Sequence, residues 1–76
     1  MPPTAEEWIA QFAAALGRPA PTEAEMAAVL ELASVAAHSS ERRAAPIAAW
    51  LSALAGVSPE EARRLAESLP RASPDH

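Results

Sequence analysis

The stretch His38-Ser39-Ser40-Glu41-Arg42-Arg43-Ala44-Ala45-Pro46-Ile47-Ala48-Ala49-Trp50-Leu51-Ser52-Ala53-Leu54 changes character halfway. Up to Arg43 it is polar and charged. Beyond Pro46, Ile47, Trp50, Leu51 and Leu54 recur at the spacing of one helical face. Such a switch reads as a joint between two helices. Pro46 suits the first turn of the second helix, because the amide it lacks would have no partner there. The spacing predicts a helix from Ala45 or Pro46 to Ala55, closed by Gly56. Its apolar stripe is expected against the core, with Trp50 and Leu51 clamping the polar joint onto the interior.

Upstream of the joint, Thr22 followed three residues later by Glu25 is a capping-box start. The helix it opens should run over 23–38. Met26, Val29, Leu30, Ala33 and Ala37 fall on one of its faces, and Ala28, Leu32 and Val35 nearly opposite. A helix apolar over so much of its circumference is packed on more than one side, so it is predicted to be the central element. Further upstream, Thr4 and Glu7 repeat the start signal, and Gly17 is placed to end a helix over 5–16. Trp8, Ile9, Phe12 and Leu16 form its stripe, with Trp8 and Phe12 expected as core anchors. Pro19 and Pro21 keep the next segment out of helix.

Downstream, Ser58-Pro59-Glu60-Glu61 combines an N-cap, a proline at the first helical position and a glutamate at the third. It opens a helix over 59–69 with Ala62, Leu65, Ala66 and Leu69 facing inward. Glu60 with Arg64, and Arg63 with Glu67, are spaced for solvated pairs. A frayed tail is expected over 70–76. The fold class is therefore all-α, a compact four-helix domain over 1–69 with short connections. The wealth of alanine and scarcity of β-branched residues agree with it.

Composition narrows the function classes. The net charge is −4 and there are no cysteines. An acidic chain of 76 residues is ill suited to neutralising a run of phosphates, so nucleic acid is not an expected partner. No apolar run approaches the ~20 residues of a membrane span, and the acidic N-terminus lacks the layout of a secretion signal. These features predict a soluble cytoplasmic protein. Both glycines read as helix ends, so there is no glycine-rich phosphate loop, and no two histidines sit at helical spacing. No enzyme activity, metal or cofactor is expected.

The joint holds the candidate binding residues His38, Glu41, Arg42, Arg43 and Pro46. Guanidinium forks suit a carboxylate or phosphate, and His38 adds a donor whose charge changes near neutral pH. A structural role competes with each. His38 lies where a helix dipole favours a cation, Ser39 and Ser40 can take up free backbone groups, and Glu41 can pair with an arginine.

The same stretch carries the pattern A-H-x-x-E-R-x-A-A-P-x-x-x-W-L, as Ala37-His38, Glu41-Arg42, Ala44-Ala45-Pro46 and Trp50-Leu51. With Glu7-Trp8-Ile9 and Leu30-Glu31-Leu32-Ala33, it resembles a small bacterial domain of unknown function, over about Glu6 to Leu69. That domain occurs alone, or beside or fused to the enzyme that attaches guanosine monophosphate to molybdopterin. The resemblance implies an accessory role in molybdenum cofactor maturation or insertion. The transferase domain is not in this sequence, so the role would be exerted on a separate protein partner of that pathway. It carries over His38, Glu41, Arg42 and Pro46 as motif positions, and no catalytic residue; Arg43 lies outside the motif. Three expectations stand: an adaptor that binds a protein, a binder of an anionic pterin or nucleotide at the joint, and a homo-oligomer formed through alanine-rich faces.

Overall fold

Three of the four helices begin where a hydroxyl side chain satisfies a free amide, and the other begins on a backbone turn. A computed structural model, which describes residues 2–70, contains four helices. These are α1 (Ala5–Ala15), α2 (Glu23–Ser39), α3 (Ala44–Ala55) and α4 (Pro59–Glu67). The fold is all-α.

Thr4 and Thr22 close complete capping boxes. The amide of Glu7 donates to the Thr4 hydroxyl at 3.1 Å, and the Glu7 carboxylate accepts from the Thr4 amide at 2.9 Å. Thr22 and Glu25 repeat this at 3.0 and 2.8 Å. Ser58 accepts from the Glu61 amide at 3.1 Å, with Pro59 at the first helical position. The end of α1 is a Schellman turn on Gly17, at φ +74°. There the Arg18 amide reaches the Ala13 carbonyl and the Gly17 amide that of Ala14, both at 2.9 Å. Gly56, at φ +76°, ends α3.

The boundaries differ from expectation in four places, the first being α2, which runs one residue further, to Ser39. Leu16 caps α1 and does not belong to it, and α4 stops at Glu67, where Ser68 takes the C-cap. At α3 the helix starts at Ala44, so Pro46 is its third residue. That is still within the turn whose amides lack intrahelical partners, so proline costs nothing there. The frayed tail expected over 70–76 lies, from residue 71 on, outside the described residues.

Helix α2 is the hub, packing against both α3 and α4. At its centre Leu32 is 3% exposed, with Ala28 and Ala62 buried beside it. The ion pair between Arg63 and Glu31, at 3.3 Å, adds a polar link between α4 and α2. On α4, Arg63 meets Glu67 as expected, but Arg64 pairs with Glu61 at 2.7 Å, not with Glu60. A spacing of three serves as well as four on a helix surface.

The contact face of α3 reverses the expected one. Ala44, Ala45, Ala48, Ala49 and Ser52 are the half-buried residues of α3, which packs on α2. Ile47, Trp50, Leu51 and Leu54 are 54–64% exposed. Small side chains let two helices approach closely, which explains how an alanine face can be the packed one. The Ser52 hydroxyl donates to the Ala48 carbonyl at 2.8 Å, so no polar group is stranded on that face. Leu65 of α4 and Leu69 just after it are also exposed, contrary to expectation, while Ala62 is buried and Ala66 half-buried.

Helix α1 stands apart. It makes no helix contact comparable with those of α2, and only Ala13 of its residues is buried. Ile9 and Ala13 share one edge, and a groove of about 360 Å³ lies beside that edge, lined by Ile9, Met26, Val29 and Leu30. Trp8 and Phe12 stack with centroids 5.3 Å apart and are 54% and 50% exposed. They are not core anchors, because the pair is turned about 100° around the helix from the Ile9–Ala13 edge, one residue step away. Among the described residues, no helix is long and apolar enough to cross a membrane.

Candidate functional site

The joint between α2 and α3 is a tight polar turn. The amides of Ala44 and Ala45 donate to the carbonyls of Glu41, at 2.9 Å, and Arg42, at 3.1 Å. This winds the chain into α3 without any side-chain cap, and Arg43 takes the N-cap position in helical conformation. Two of the free amides at the start of α3 are thereby occupied and cannot serve an anion.

The five candidate residues have different surroundings. His38 folds back along its own helix: Nδ1 lies 2.8 Å from the Ser34 carbonyl and 3.1 Å from its hydroxyl. With Nδ1–H donated to the carbonyl, Nε2 remains the ring atom turned to other partners. Glu41 pairs with Arg43 at 3.0 Å, but both side chains are largely in water, so the pair contributes at most ~1 kcal/mol and opens readily. Arg42 is exposed and has no ion pair among the described residues. Pro46 is exposed on the first turn of α3. The turn thus presents Arg42, Arg43 and Glu41 outward together. His38 serves its own helix instead. Trp50 and Leu51, expected to clamp the joint inward, point to solvent with it.

Next to this turn lies a feature that the spacing alone did not reveal. Helices α3 and α4 both lean on α2 and leave an apolar valley between them. Two adjoining hollows of about 340 and 350 Å³ make it up. Ala48 and Leu51 of α3, Ala66 of α4 and Leu69 just after it line both hollows. Leu32 lines one, and Ile47 and Val35 the other, whose mouth reaches Ser39, Ser40 and Ala44 at the polar turn. A sequence signal for it existed: Ala45, Ala48, Ala49 and Ser52 form a small-residue face opposite the bulky stripe. Among the described residues, no three histidine, aspartate or glutamate side chains converge where a metal ion could sit.

The family model that describes a domain of unknown function, DUF6457, matches residues 1–74, nearly the whole chain. The chain belongs to this family. No curated protein and no solved structure shows a match. The DUF6457 match spans all four helices, so the polar turn and the valley both fall within the family's domain.

Proposed function

We propose that this DUF6457 domain is a non-catalytic adaptor that works in the cytoplasm by binding other proteins. The observation that carries this reading is the exposure of large apolar side chains. Trp8, Phe12, Trp50 and seven leucine and isoleucine residues are half or more in water. Soluble monomers rarely leave apolar patches beyond a few hundred Å² uncovered, and larger ones mark interaction surfaces. The Arg42–Arg43 turn at the mouth of the valley supplies charge next to that surface, the arrangement of an apolar centre with a polar rim.

The pathway is the finer part of the proposal. The motif around His38, Glu41, Arg42 and Pro46 resembles that of a domain found with molybdenum cofactor guanylyltransferase. We place the adaptor beside that enzyme, in molybdenum cofactor maturation or insertion. The motif resemblance is its sole support.

The test is binding of the purified domain to that guanylyltransferase, with the double change Arg42→Ala and Arg43→Ala as the discriminating variant. The proposal predicts saturable binding that the variant weakens at least about tenfold, or ~1.4 kcal/mol, while its helical content stays unchanged. No binding at about 100 μM, a hundred times a 1 μM Kd, would remove the partner.

A further inference from the structure

We infer that the valley between α3 and α4 is the docking site for α1 of a second copy of this chain, each copy filling the other's valley. This rests on reading the apolar surface as a protein-binding one, and it names the occupant. Three observations lead to it.

The chain carries both halves of such a contact and uses neither internally. Trp8 and Phe12 of α1 and its C-cap Leu16 sit at intervals of four, the spacing by which an amphipathic helix anchors in a groove. Helix α1 spends none of this stripe on its own chain, where it is the loosest element. The valley in turn is apolar along its length and open to water, with Leu51, Leu65 and Leu69 exposed.

The dimensions agree. From Trp8 to Leu16 the stripe extends about 12 Å at 1.5 Å per residue, and the α3 wall from Ile47 to Ala55 has the same length.

The area also suffices. Trp8, Phe12 and Leu16 of the stripe with Ile47, Leu51, Leu65 and Leu69 of the valley leave roughly 600 Å² of apolar surface in water per chain. A reciprocal pair would cover up to roughly 1,200 Å², at the lower end of the ~1,200–2,000 Å² of stable specific interfaces. A two-fold pair makes the contact twice at no further cost in sequence.

The experiment is sedimentation equilibrium of the purified full chain over about three decades of concentration up to 1 mM. Phe12→Asp, in the stripe, and Leu51→Asp, in the valley, are the variants; both sites are exposed, and circular dichroism checks that helix content is kept. Leu69→Asp provides a second valley variant. The wild type should dimerise, and each variant should weaken the dimer about 30-fold or more, as loss of a central anchor does. An equimolar mixture of Phe12→Asp and Leu51→Asp should regain part of the dimer. In the mixed pair one contact, an intact stripe in an intact valley, survives, whereas each variant alone has none. A strict monomer at 1 mM overturns the inference. So does a dimer indifferent to Phe12→Asp, which would mean that α3 faces pair with each other, or a mixture that regains nothing. A monomer that still binds the guanylyltransferase would remove the self-docking and leave the adaptor reading standing.

Discussion

Helices α4 and α1 are both short, both capped by a hydroxyl side chain, and both flank α2 in the fold, yet they are held in different ways. Helix α4 buries Ala62 close to the Leu32 centre and ties Arg63 to Glu31. Helix α1 carries the larger apolar side chains and buries little beyond Ala13. The comparison teaches that side-chain bulk does not decide packing here. Alanine does, by letting backbones approach, and the bulky residues are left for surfaces.

The strongest way to break the α2–α4 side of the comparison is Leu32→Ala. Truncating a buried core leucine costs ~2–5 kcal/mol, against a whole-domain stability of about 4–11 kcal/mol at 0.05–0.15 kcal/mol per residue. Urea denaturation should show a large loss or outright unfolding. A loss under about 1 kcal/mol would mean that Leu32 is not the centre of the core. Next comes Ala62→Leu, which adds volume where the helices meet. It should cost ~1–3 kcal/mol by overpacking, whereas Ala24→Leu on the exposed first turn of α2 should stay within about 0.5 kcal/mol.

The caps sharpen the contrast. Ser58→Ala removes a hydrogen bond from a helix packed on the hub and should cost ~0.5–2 kcal/mol of global stability. Thr4→Ala removes an equivalent bond from α1. Its effect should appear as faster hydrogen exchange confined to α1 amides, with the denaturation midpoint nearly unmoved. Equal midpoint shifts from the two would show that α1 is as firmly coupled as α4. Smallest of all is Glu31→Gln. The pair with Arg63 is partly solvated, and its loss should cost under about 1 kcal/mol by thermal melting.

Much of this fold was legible because helix ends are local. Thr4 with Glu7, Thr22 with Glu25, Ser58 with Pro59, and the two glycines each satisfy backbone groups within a few residues, so a short window suffices. The role of α2 followed from its apolar circumference. What spacing could not give was direction. Periodicity says that Ile47, Trp50, Leu51 and Leu54 share a face of α3, but not whether that face turns in. The alanine face opposite is equally continuous, and close approach favoured it. Phe12 and Trp8 went the same way. At the candidate site, the exposure of Arg42 and Arg43 was readable from composition. The fold-back of His38 along its own helix onto Ser34 depends on a rotamer that sequence does not encode. The early start of α3 at Ala44 was missed because proline is accepted through the whole first turn, not at its first position alone.

The central claim is that the tryptophans lie on stripes that face water in a single chain. Acrylamide quenching of Trp8 and Trp50 emission, read from dilute to concentrated solution, tests it most directly. The account predicts red-shifted, freely quenched emission at high dilution; as concentration rises the Trp8 component turns blue and protected, while Trp50, which lines neither hollow, stays quenched. Blue, quench-resistant emission at every concentration would place both rings in the interior of one chain and contradict it.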